Sequence, residues 1–198
     1  MPDPPTAGRH QERHQALAAE LSPRNPKLAV RVEGCDLEDL GAAAGLLDRL
    51  RSDQVAVDVL INNAGFGDLA LHEASSWERN QRMIALNVTT LTYLTRHLLP
   101  AMIDRHRGGV LNVSSGFGLA FLPGFAVYVG TKHYVTGFTE ALRSETRGTG
   151  VAISQLCPGP VATEFNERAN NQGQVPIPHA IEITAERCAR IALRKFEA

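Results

Sequence analysis

Tyr128 and Lys132 stand four residues apart in Tyr128-Val129-Gly130-Thr131-Lys132, a spacing that stacks a phenol and an ammonium on one face of a helix. A phenol ordinarily ionises near pH ~10, but a cation a few ångström away favours the phenolate and brings the group toward acid–base work near neutrality. A surface tyrosine packed on a lysine stem has the same spacing, so the surrounding residues must decide. Four short segments are rich in small or hydrogen-bonding side chains: Cys35-Asp36-Leu37, Asn62-Asn63-Ala64-Gly65, Ser114-Ser115-Gly116 and Cys157-Pro158-Gly159-Pro160-Val161-Ala162-Thr163. Each lets a ligand approach the backbone and offers it hydrogen bonds. Other chemistries lack their residues. The seven histidines have no metal-ligand spacing, there is no G-x-S-x-G elbow, and Cys157 and Cys188 read as small buried hydrophobes, so no metal or hydrolytic site is expected. Gly65-Phe66-Gly67-Asp68-Leu69-Ala70 fits a G-x-G-x-x-A fingerprint, yet no clear second strand with an acidic residue follows, and the segment reads as a turn on the substrate side.

The elements that must hold these segments can be read from periodicity. A helix is expected from Arg9 to Leu21, stopped by Pro23 and Pro26, then an alternating strand over Leu28–Glu33 and a helix over Leu37–Arg51. Val55–Ile61, Val110–Val113 and Val151–Gln155 are short apolar runs of buried-strand type. Ser75-Ser76-Trp77-Glu78 is a capping box that opens a long helical run over Met83–Ile103, with a kink expected at Pro100. Helices are also expected over Phe125–Arg147 and Thr184–Lys195. Strands alternating with helices predict an α/β fold, a doubly wound parallel sheet, in which ligands bind beyond the carboxyl ends of the strands. The four polar segments follow predicted strands, so they are expected to share one edge.

Asn62-Asn63-Ala64-Gly65, then Asn87, Ser115, Tyr128-x-x-x-Lys132 and Pro158-Gly159-Pro160-Val161-Ala162-Thr163, in that order, resemble the short-chain dehydrogenase/reductase family. The resemblance runs from about Arg9 to the end of the chain. It implies a Rossmann-like fold and an oxidoreductase that interconverts a carbonyl and an alcohol by hydride transfer. Tyr128 would exchange a proton with the substrate oxygen, and Lys132 would lower the Tyr128 pKa and bind the nicotinamide ribose. Ser115 would hydrogen-bond the substrate oxygen, and Asn87 would hold a water that relays protons to Lys132. Ser115 rather than Ser114 takes that role because it lies thirteen residues before Tyr128, as the family pattern requires. Asp36 and Leu37 resemble the dipeptide that contacts adenine, and Asn63, Ala64, Gly65, Pro158, Gly159, Val161 and Thr163 would line the cofactor. Arg9 resembles the residue that pairs with the 2′-phosphate, which favours NADP over NAD.

The resemblance also has a gap, because the family's first strand and its T-G-x-x-x-G-x-G turn have no counterpart ahead of Arg9, and the chain stops before the last strand. An N-terminally incomplete sheet is therefore expected. If the 198 residues are the whole polypeptide, Leu28–Glu33 should move in beside Val57–Ile61, or that edge should pair with another chain, or the first forty residues should be poorly ordered. A non-catalytic remnant or interaction module with impaired cofactor binding is the alternative reading. With 198 residues, 43% of them apolar, one Rossmann-like domain over 1–198 is expected, with a disordered leader at 1–8 and a substrate loop at 163–180. The partner is expected to be a small-molecule carbonyl or alcohol. A net charge of −1 with no basic stripe argues against nucleic acid, and no apolar run is long enough to span a membrane. Three widely spaced cysteines suit a cytoplasmic location. Apolar positions on the two long helices, Leu91, Leu98, Val135, Phe138 and Leu142, predict a homodimer or homotetramer, since the corresponding helices pair in the resembled family.

Overall fold

A parallel sheet buries its strands on both faces, and in the second half of this chain residues 109–112 meet that requirement. The computed structural model describes residues 6–24, 28–165, 169 and 182–196. The chain groups into two units, Met1–Val55 and Ala56–Ala198.

In the first unit, helix α1 spans Thr6–Arg24 and α2 spans Leu40–Ser52. Helix α1 takes in Thr6, ahead of the expected start at Arg9, and carries Pro23 within its last turn instead of stopping before it. Residues 1–5 of the expected leader lie outside the described residues. Helix α2 starts later than the sequence suggests, because Asp39 caps it by accepting a hydrogen bond from the Gly41 N–H at 2.7 Å. Ala43 and Leu47, at i and i+4, are its buried residues.

The expected strand over Leu28–Glu33 is not formed. Its alternation suits a strand, but a strand requires a ladder partner. Here the charged residues of the segment turn to other charges in the same unit. Arg31 pairs with Glu33 and Asp53, and Arg49 bonds Glu33 at 3.0 Å.

The second unit holds a three-stranded parallel sheet in the order β1 (Val59–Asn62), β2 (Gly108–Val113), β3 (Val151–Leu156). The β1-to-β2 crossover runs through α3 (Trp77–Ile84), a π-helical stretch Ala85–Thr90 and α4 (Leu91–Asp104), and the β2-to-β3 crossover through α5 (Ala126–Glu145). A short parallel pair, β4 (Val161–Ala162) with β5 (Ile183–Thr184), precedes α6 (Ala185–Phe196). The capping box falls one residue late: Ser76, not Ser75, accepts from the Arg79 N–H at 3.2 Å. Among the described residues no helix is long and apolar enough to cross a membrane.

Central β2 is covered on both faces, with Val110 and Asn112 fully buried. Val110, Val151 and Ile153 form one core with Leu99 and Met102 of α4 and Leu142 of α5. Beyond that apolar layer the strand ends are tied by side-chain amides. Asn62 Nδ2 donates to Asn112 Oδ1 at 2.8 Å and to Thr95 Oγ1 at 3.0 Å, and Asn112 Nδ2 donates to Thr139 Oγ1 at 3.0 Å. This buried network joins β1, β2, α4 and α5 just below the ends of the strands, and satisfied polar groups of this kind fix one arrangement of the core. On the other face Phe196 of α6 lies against Gly109, while Val59 and Ile61 remain 46% and 47% exposed.

Candidate active site

The turns after β1, β2 and β3 meet at one edge of the sheet. The Ser114 N–H donates to Leu156 O at 2.8 Å and the Gly116 N–H to Pro158 O at 2.7 Å, so the segment after β2 is stitched to the one after β3. The two serines then take different tasks. Ser114 is buried and locks the turn to α5, donating to Lys132 O at 3.0 Å and pairing with Thr136 Oγ1 at 2.8 Å. Ser115 is extended and caps the short helical turn Gly116–Gly118, accepting from the Phe117 N–H at 3.2 Å. Its side chain stands close enough to the Tyr128 phenol to oppose the effect of burial on that group.

Tyr128 and Lys132, on the first two turns of α5, are 4% and 5% exposed. Lys132 Nζ donates to Val113 O at 2.8 Å and sits 5.8 Å from the centre of the Tyr128 ring. Burial pulls the ammonium down to about 8, a drop that the neighbouring Cys157 partly opposes. For the phenol the direction differs from the sequence-based expectation. Burial pushes Tyr128 up, and the nearby Ser115 side chain opposes this. The physical reason is that Tyr128 lies in an apolar cluster with Leu69, Met83 and Phe125, with Phe165 and Phe125 rings each centred 5.4 Å away. Phe125 stands only three residues ahead of Tyr128, whereas Leu69, Met83 and Phe165 are far from it in the chain and left no sequence signal.

Asn87 sits in the π-helical stretch and is 1% exposed. Its amide grips the turn after β1: Oδ1 accepts from the Phe66 N–H at 3.2 Å and Nδ2 donates to Phe66 O at 2.9 Å. The remaining Nδ2 hydrogen reaches Thr131 Oγ1 at 3.1 Å. Gly65 lies between this amide and Lys132, since a Cβ there would come within 2.9 Å of Asn87 Oδ1 and 3.5 Å of Lys132 Nζ. Gly67 lies against Tyr128 and Phe165, in keeping with a turn beside the tyrosine.

Asn87, Ser115, Tyr128, Lys132 and Gly65 are thus brought together. Of the other expected cofactor residues in this unit, Asn63, Ala64 and Gly159 are exposed and Pro158 is half-buried, with open space where a Gly159 side chain would be. Val161 belongs to β4, and Thr163 is exposed just after it. In the first unit, Asp36 Oδ1 accepts from the Glu38 N–H at 3.0 Å, Asp36 and Leu37 are half-buried, and Arg9 lies within α1, its side chain outside those described. Of the expected substrate loop 163–180, only Thr163–Phe165 and Ala169 are among the described residues. Among the described residues no group of three or more His, Cys, Asp or Glu side chains could hold a metal ion.

The site can be compared with known proteins. A sequence model described as short chain dehydrogenase matches residues 6–174. The chain is 32% identical over 170 residues to a D-beta-hydroxybutyrate dehydrogenase of Cupriavidus necator, covering 83% of this chain and 66% of that protein. It is 35% identical over 164 residues to an NADP-dependent 3-hydroxy acid dehydrogenase of Escherichia coli, covering 80% and 63%. The chain therefore spans just under two thirds of the length of these relatives. Among solved structures, a short-chain dehydrogenase from Sphingobium yanoikuyae in complex with NADPH superposes with a TM-score of 0.84 at 28% identity, covering 94% of this chain and 71% of that one.

Proposed function

The chain belongs to the short-chain dehydrogenase family, and from that premise we propose that it is an oxidoreductase that interconverts a small-molecule carbonyl and an alcohol with NADP(H), NAD(H) being the weaker partner. One observation carries the reading: Tyr128 and Lys132 are buried one turn apart on α5 at the strand ends, with Lys132 Nζ 5.8 Å from the centre of the phenol ring and the Ser115 side chain beside it. The nicotinamide cofactor, when bound, supplies or takes up the hydride. The residues present fit its nicotinamide half. Gly65 is the kind of position where only a hydrogen leaves room beside Asn87 and Lys132, and the space beside Gly159 is open.

In reduction, Tyr128 delivers its proton to the carbonyl oxygen, and in oxidation it takes the proton back. A phenol held up by burial is a protonated donor at neutral pH, which suits the reductive direction. Ser115 donates to the same substrate oxygen and orients it toward the phenol. Lys132 places a cation behind the tyrosine, where it stabilises the phenolate as the proton leaves. Asn87 holds the turn that carries Gly65 against this group and, by the family pattern, a water that relays protons to Lys132. Asn63, Ala64, Pro158, Val161 and Thr163 line the cofactor, Asp36 and Leu37 contact its adenine, and Arg9 meets the 2′-phosphate. The relative that acts with NADP and the superposed NADPH complex support the choice of cofactor.

A homodimer or homotetramer in the cytoplasm completes the proposal, but its structural footing shifts. Leu91, Val135 and Leu142 are buried within the chain itself and are not left over for a partner. Tyr134, 40% exposed and stacked on Phe138, is the apolar surface that α5 still offers. The competing reading, a non-catalytic module, draws on the absence of a strand at Leu28–Glu33. Titration of the 198-residue chain with NADPH, followed by cofactor fluorescence, separates the two: saturable binding is expected, and no binding at millimolar NADPH supports the module.

A further inference from the structure

We infer that Thr131, inside the Tyr128-x-x-x-Lys132 segment, is a positioning residue that couples the turn at Gly65-Phe66 to the helix bearing the proton donor. Thr131 is 4% exposed and its hydroxyl is used on both sides. It accepts from Asn87 Nδ2 at 3.1 Å and donates to Tyr128 O at 2.8 Å. The Asn87 amide cannot turn over to compensate for a change at this position. A flip would set its NH2 against the Phe66 N–H and its oxygen against Phe66 O, breaking both bonds that hold the turn. With the amide fixed by Phe66, the second Nδ2 hydrogen of Asn87 needs an acceptor at position 131, and a buried donor left without one is strongly disfavoured.

The chain of contacts runs Phe66, Asn87, Thr131, Tyr128. Its two ends carry the groups that must be in register for reaction, because Gly65 lies beside Lys132 and the Phe66 backbone is clamped next to it. Thr131 touches none of the reacting atoms. It sets the separation between the turn that receives the nicotinamide and the tyrosine that moves the proton, and small errors in such a separation are expensive in rate. The link to the cofactor rests on the function proposed above; the link to Phe66 stands on the hydrogen bonds alone.

The test compares the full chain with Thr131→Val, which keeps the shape and removes the hydroxyl, and Thr131→Ser, which keeps the hydroxyl. Amide hydrogen exchange is read at Phe66 and across Val110–Val113, and NADPH binding is titrated in parallel. The valine variant is expected to exchange Phe66 about tenfold faster, the size of one lost buried hydrogen bond, with β2 unchanged and with NADPH about tenfold weaker. The serine variant should return both to within about twofold of the parent. Unchanged protection at Phe66 in the valine variant, equal losses in valine and serine, or an equal loss of protection throughout β2 would overturn the assignment. If the valine variant does not fold, Thr131→Ala takes its place in the same comparison. If the parent chain binds no NADPH, the proposed function fails while the Phe66 readout still decides the role of Thr131.

Discussion

Replacing Lys132 by methionine, which keeps a long unbranched side chain and removes the charge, should make the protein harder to unfold at pH 7 and should lose that advantage as the pH rises. Burial lowers the ammonium from its ordinary 10.5 to about 8. The sign follows from which state binds the proton more tightly. Below about 8 both folded and unfolded chains carry the charge, and the folded state bears the full penalty of burying it. Between about 8 and 10.5 the folded lysine is neutral while the unfolded one still holds its proton, so the penalty fades as pH increases. The gap corresponds to about 3 kcal/mol at pH 7 and to under about 1 kcal/mol at pH 10. The variant also loses the Nζ bond to Val113 O, about 1 kcal/mol at any pH. Its net gain is thus about 2 kcal/mol at pH 7 and close to zero at pH 10. Urea unfolding of both proteins at several pH values between 7 and 10 measures this. A difference that stays flat across the range, or grows with pH, would refute the burial argument.

Other perturbations probe the scaffold. Gly118→Ala would bring a methyl within 2.4 Å of Ser114 Oγ and 2.8 Å of Lys132 O, so it should destabilise the chain by about 3 kcal/mol in urea unfolding and move Ser115 off the phenol. Asn112→Ala removes the centre of the buried amide network and should cost about 3 kcal/mol, whereas Thr139→Val, which takes only one end, should cost about 1. For assembly, sedimentation at micromolar concentration should show a species larger than 21.5 kDa that Tyr134→Glu reduces to the monomer; a monomer alone in the parent would count against the proposed oligomer.

What could be read from the sequence was what the chain encodes locally. Tyr128 and Lys132 share a helix face because their spacing is short, whereas the choice of Ser115 over Ser114 came from the family resemblance and not from the local sequence. The three strands of the sheet were visible as short apolar runs, although only the central one is covered on both faces. Features that depend on distant residues were not visible. Phe125 stands three residues ahead of Tyr128, but the ring of Phe165 and the burial that raises rather than lowers the phenol come from packing that no window of sequence contains. The π-helical stretch that presents Asn87 reads as ordinary helix, because one extra residue in a turn leaves the apolar spacing almost intact. Leu28–Glu33 shows the converse: its alternation is that of a strand, but pattern alone does not supply a neighbouring ladder. Likewise Leu91, Val135 and Leu142 looked like surplus apolar surface until their burial within the chain accounted for them.

Tyr128→Phe tests the central claim most directly, with carbonyl reduction followed as NADPH consumption over a panel of ketones and aldehydes. The hydroxyl is the group that moves the proton, so the variant should bind NADPH as the parent does and lose about 10²–10⁴ in rate. A variant that retains more than half of the parent rate would contradict the assignment of Tyr128 as proton donor.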